Sequence, residues 1–204
     1  MKTIKLLQLF LLSSLLFSCT EDEPVVTPMS NNFTVNATDF ATPHAYLIYD
    51  EGSALNNRYF LTFSNAPLIQ ETPSKVAVQT TMTQAAVLYI ENVPVPISSG
   101  FSMAPVGVGT HTLDTDDTEV LNNIVNFDDP FVSGGLSYGQ PSYTGANLFQ
   151  MPTGGIGTVT INAITIDTIA GTGTINCTYQ MTSSSGDVII GNYSGTFEIR
   201  SSNF

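Results

Sequence analysis

Three runs of alternating apolar and polar residues close this sequence, at Gly157 to Ile166, Thr172 to Met181 and Val188 to Ile199. Turn-forming residues separate them, Asp167 to Gly171 and then Ser183-Ser184-Ser185-Gly186-Asp187. A period of two puts successive side chains on opposite faces of a strand, so the pattern predicts an antiparallel β-meander. In the second run Ile175, Cys177, Tyr179 and Met181 face one way, while Thr174, Asn176, Thr178 and Gln180 face the other. In the third, Ile189, Tyr193, Phe197 and Ile199 oppose Asn192, Ser194, Thr196 and Glu198. One face is dry and one is wet, as in the outer wall of a sandwich or barrel.

The same signature recurs upstream. Phe33 to Asn36 and Asp39-Phe40 read as two short strands about a turn, and Ala45 to Tyr49 with Arg58 to Phe63 reads as a hairpin. Val76 to Met82 alternates, Ala85 to Ile90 is a more continuous apolar run, and Pro94 and Pro96 mark its end. Gly109 to Leu113 is a further strand. Two stretches depart from the pattern. Val120, Leu121, Ile124 and Val125 stand at helical spacing behind Asp116 and Glu119, which suggests a capped helical turn. Ser133 to Thr153, rich in Gly, reads as one long loop. The expectation is an all-β chain: a single antiparallel, β-sandwich-like domain over residues 31–204 with a C-terminal meander.

The N-terminus carries an address. Lys2 and Lys5 precede a short run of mostly Leu and Phe, which ends in Leu16-Phe17-Ser18-Cys19. That ending resembles a bacterial lipobox, which implies a signal peptide over residues 1–18 and lipid on Cys19 as the mature N-terminus; the run is short for a membrane span. Thr20-Glu21-Asp22-Glu23 looks like the export tag of surface-exposed lipoproteins in Bacteroidota. Residues 19–30, with Pro24 and Pro28, then form an acidic tether. The resemblance implies a lipid-anchored outer-membrane protein facing the cell exterior.

The meander carries a second resemblance. Gly157-Thr158-Val159-Thr160-Ile161, Ile169 to Ile175 and Tyr193-Ser194-Gly195-Thr196-Phe197 are similar to the C-terminal strands of a group of uncharacterised Bacteroidota lipoproteins. Phe33 to Phe40 is similar to that group's opening hairpin, where Gly commonly stands in place of Ala37. The resemblance implies a fold and an address, and no chemistry.

Charge narrows the partners. Without the signal the chain keeps Arg58, Lys75 and Arg200 against seventeen acidic residues, a formal charge of −14, which disfavours nucleic acid and anionic headgroups. The only partner implied directly is the membrane, through the lipid; a glycan or protein ligand is the open class. With Cys19 lipidated, Cys177 has no disulfide partner and its parity makes it a small core hydrophobe.

Chemistry-bearing residues are sparse. Asp114, Asp116, Asp117 and Glu119, with Asp128 and Asp129 beyond, hold calcium-type ligands at close spacing but lack the EF-hand frame, so they read first as a solvated acidic loop, with a calcium-dependent glycan module as the minority reading. His44 and His111 lack zinc-motif partners, and there is no G-x-S-x-G elbow or cofactor motif. The reading is a non-catalytic binding or structural module. A secreted hydrolase with a carboxylate pair is the rival. Tyr138, Tyr143 and Phe149 in the long loop are the candidate ligand-stacking residues.

Overall fold

The computed structural model describes residues 30–50, 56–72, 75–78, 81–94, 106–127, 143–167 and 169–201. All the regular elements among them are strands: β1 (Asn32–Val35), β2 (Thr38–Ala41), β3 (His44–Asp50), β4 (Asn56–Ser64), β5 (Leu68–Thr72), β6 (Lys75–Val78), β7 (Gln84–Pro94), β8 (Gly109–Thr112), β9 (Glu119–Asn122), β10 (Asn126–Phe127), β11 (Tyr143–Thr144), β12 (Asn147–Gln150), β13 (Thr158–Asp167), β14 (Thr172–Thr182) and β15 (Val188–Ser201). The chain is all-β, as the alternation requires. One sheet runs β12-β9-β7-β4-β3-β15-β14-β13-β8, with β1 on β15 and β2 on β1, while β10–β11 and β5–β6 form small separate ladders.

The meander is β13, β14 and β15, and the parity read from sequence holds. Ile175, Cys177, Tyr179, Met181, Ile189, Tyr193 and Phe197 are all buried. In β13 the apolar spacing is irregular, yet a bulge at Asn162 keeps Val159, Ile161, Ile164 and Ile166 directed to the same core. Two inward positions are glycine for a steric reason. Gly173 lies opposite Phe197 and Gly191 opposite Tyr179; a Cβ on Gly191 would stand 2.1 Å from the Tyr179 ring, and one on Gly173 2.3 Å from the Phe197 ring. Each ring covers the bare backbone across the strand.

β15 is the seam. Its first half pairs with β1, antiparallel, from Val35↔Ile189 to Asn32↔Asn192. The β1 ladder ends at Asn192, and β3 takes the same edge, parallel, from Glu198↔Tyr46 onward. The short Thr42-Pro43 link explains the direction: β2 and β3 run the same way, and the missing donor at Pro43 breaks the ladder so that the chain slides across to β15. Tyr193 Oη donates to Pro43 O (3.3 Å) and to Thr196 O (2.6 Å), which pins this corner. The purely antiparallel arrangement expected from sequence is therefore corrected to a mixed sheet.

The sheet curls round its core as one continuous surface rather than as two separate layers. Beyond β8, Leu113 N donates to Gly157 O (2.9 Å) and Asp114 N to Tyr89 O (2.9 Å), so this segment bridges the start of β13 to β7. Inside, Phe63 of β4 stacks on Tyr179 (5.5 Å) and Tyr193 (5.1 Å), joining the two walls.

The wall of β3, β4, β7 and β9 is buried on both sides. Leu47, Leu61, Leu88 and Val120 enter the inner core, whereas Tyr46, Phe60, Val87, Tyr89 and Leu121 enter an outer one, covered by Ala66, Leu68, Met82 and Ile124. Two-sided burial is why Ala85 to Ile90 shows no alternation. It also corrects the expected helical turn. Residues 115–117 form a turn and Glu119–Asn122 a strand, in which Val120 and Leu121 serve opposite cores. Asn123, at φ 57°, ends it. The expected long loop is likewise partly strand: β12 pairs with β9, Phe149 opposite Val120. Its Gly and Tyr content hid four residues that only a tertiary partner makes into a strand.

Candidate functional site

The expected signal, Cys19 and the expected tether as far as Met29 lie outside the described residues. The described chain enters the domain firmly: Asn31 Oδ1 accepts from Ser194 N (2.8 Å) and Asn31 O from Thr42 N (2.8 Å). No helix among the described residues is long and apolar enough to cross a membrane.

The three aromatic candidates do not assemble into one described surface. Tyr138 lies outside the described residues. Tyr143 belongs to β11, opposite Phe127 of β10. Phe149 belongs to β12 and packs, half-buried, against the inner core. Its ring acts on the fold side of the strand, while Leu148 is the more exposed neighbour.

The acidic segment divides in two. Asp114, Asp116 and Asp117 surround the turn that follows β8, where Asp114 Oδ1 accepts from Asp116 N (2.8 Å). Glu119 has left that turn for β9, where it is buried and accepts from Gln150 Nε2 of β12 (2.5 Å). A burial this deep is tolerable for a carboxyl only with hydrogen-bond donors at hand. Glu119 is thereby tied to β12. No group of three or more His, Cys, Asp or Glu among the described residues is placed to hold a metal ion. A thermal melt with millimolar calcium should show little change from one without it, since an ion bound to the native state alone would raise the midpoint by mass action. A rise of several degrees that disappears in an Asp116→Asn, Asp117→Asn double variant would make the segment a calcium site.

Cys177 is fully enclosed, and burial pushes its thiol up to about 12. A thiol so far above neutrality is not a nucleophile in the folded state. His111 Nε2 lies 2.8 Å from Gly107 O, and His44 opens β3 opposite Ser64.

One surface emerges only from the register. Thr112, Thr158, Gln180 and Ile190 align across β8, β13, β14 and β15; Thr110, Thr160, Thr178 and Asn192 form the next row. Further along, Thr165, Thr174 and Thr196 align. Hydroxyls and amides link the rows sideways, Thr110 to Thr160 at 3.0 Å, Thr165 to Thr174 at 2.7 Å and Asn162 to Asn176 at 3.0 Å. These rows contain no charged residue; Asp39 borders the face on β2, and Asp167 and Glu198 border its far end. The signal in sequence is the Thr-x-Thr doublet, at Thr110/Thr112 and Thr158/Thr160. Only the pairing of β8 with β13 places the two doublets side by side. Comparison of the chain with known protein families, with curated proteins and with solved structures found no match.

Proposed function

We propose that this chain is an exported lipoprotein, anchored through Cys19 in the outer membrane and facing the cell exterior, whose β domain is a non-catalytic binding or structural module of the Bacteroidota kind. The observation that carries this reading is the N-terminal segment: two lysines, a short apolar run and Leu16-Phe17-Ser18-Cys19, followed at once by Glu21-Asp22-Glu23. A chain with a formal charge of −14 after processing is suited to an exterior held by a lipid rather than by attraction to anionic headgroups. The uncharged hydroxyl and amide rows of the meander support a neutral, hydroxyl-rich ligand such as a glycan over a charged one, because long-range attraction or repulsion would be weakest there.

Intact-mass measurement after detergent extraction tests the anchor. The mature protein should begin at an acylated Cys19, and Cys19→Ala should either stay unprocessed or leave the membrane fraction. Any other mature N-terminus overturns the proposal.

A further inference from the structure

The Asn36-Ala37 turn between β1 and β2 is a two-residue hairpin with both residues at positive φ, 47° and 69°. Asn tolerates this conformation and Ala does not, so the turn is strained on its own. It is held from outside. Asp187, just before β15, receives Asn36 Nδ2 on Oδ1 at 2.6 Å, and on Oδ2 it receives Ser183 Oγ at 3.2 Å and the closer Ser185 Oγ. Asn36 answers through the backbone: its N donates to Val188 O and its Oδ1 accepts from Val188 N, both at 3.1 Å. Three side-chain donors converge on one carboxyl, and the ionised form, which has acceptors only, binds them most strongly.

We propose that the Asp187 carboxylate is an acid-releasable clasp that holds the turn end of the β1–β2 hairpin, the first element of the domain, against the start of β15. Protonation would put a hydrogen either on Oδ1, where the Asn36 amide already donates, or on Oδ2, where the two serine hydroxyls already donate. The turn end, Val35 to Thr38, would then part from Val188 and Ile189, while Phe33, wholly buried and stacked on Phe40 at 5.1 Å, keeps the other end docked. The donors from Ser185, Asn36 and Ser183 also hold this carboxyl below the usual range. With the folded value depressed, the clasp is fully present above the ordinary carboxylate range and is lost as pH falls through the lowered value. Among the described residues of β1, β2, β12, β14 and the Ser183–Asp187 turn, the one other charged side chain is Asp39, which accepts from Asn32 Nδ2 at 2.9 Å; Glu198 lies at the far end of β15.

Amide hydrogen exchange on the mature chain, followed from about pH 6 to about pH 2.5 and expressed as protection factors, tests the proposal. The Asn36 and Val188 amides should lose protection by about tenfold or more through the lowered carboxylate range, while the Cys177 and Tyr179 amides keep theirs. Asp187→Ala should show the low protection already at pH 6, with no further change on acidification. Ser185→Ala, which removes one donor, should move the release to higher pH, and Asp39→Asn should leave it where it is. Wild-type protection of Asn36 and Val188 in Asp187→Ala at pH 6 would overturn the clasp. So would loss of protection at Asn36 and Cys177 together, which would make the event global unfolding.

Discussion

Phe197→Ala should lower the stability of the domain by about 3 to 5 kcal/mol, the range for removing a buried aromatic ring. The ring is 2% exposed and sits over Gly173 on the neighbouring strand. That glycine has no side chain with which to fill the space, and it is held in the ladder between β13 and β15, opposite Ile166 and Phe197. The cavity therefore spans both positions and collapses poorly, which favours the upper part of the range. Phe197 also precedes Glu198, where β15 passes to its parallel partner β3. Loss of the ring loosens the core at the point where the two walls of the curl share one strand. Urea unfolding reads the effect as a lower midpoint at an unchanged slope. A midpoint near that of the wild type would mean that the last strand does not bury this ring.

What the sequence could show depended on how many faces of a strand are covered. β14 was the most legible strand because its outer face meets water, so Ile175, Cys177, Tyr179 and Met181 alternate with polar neighbours without exception. β9 was illegible for the opposite reason: Val120 and Leu121 face two different cores, and adjacent apolar residues followed by Ile124 and Val125 imitate a helical stripe. The parallel contact of β15 with β3 joins residues some 150 positions apart, and its cause, the end of the β1 ladder at Asn192, is a property of the pairing rather than of any local signal. The opening hairpin lay between these cases. Its strands were plain, but a turn of Asn36-Ala37 in place of the usual Asn-Gly made sense only once Asp187 was beside it. The candidate sites follow the same rule. Glu119 looked like one of four clustered acids until β9 buried it, Phe149 looked like a loop aromatic until β12 paired it with Val120, and the uncharged rows became a surface only through register.

Gly191→Ala should destabilise the domain by about 3 kcal/mol, at the upper end of what one added methyl does in a tight core. Two effects oppose each other at this position. An alanine restricts the unfolded chain, which alone would stabilise by about 0.4 to 1 kcal/mol where the backbone accepts it, and the Gly191 backbone is an ordinary extended strand. Against this, the new Cβ would lie 2.1 Å from Tyr179 Cζ and 2.4 Å from its Oη, distances at which an atom must move. The ring has nowhere to go. Phe63 stacks on it nearly parallel, at 4°, and Phe63 is in turn held by Tyr193. The Tyr179 hydroxyl, buried with no hydrogen-bond partner among the described residues, offers no bond there that would compensate a shift. Steric strain therefore decides the sign. A double-mutant cycle with Tyr179→Leu isolates the contact: in that background the methyl has room, and the cost of Gly191→Ala should fall to near zero, leaving a coupling of about 2 to 3 kcal/mol. Costs that simply add would show that the strand, and not the ring, is what refuses the side chain at Gly191.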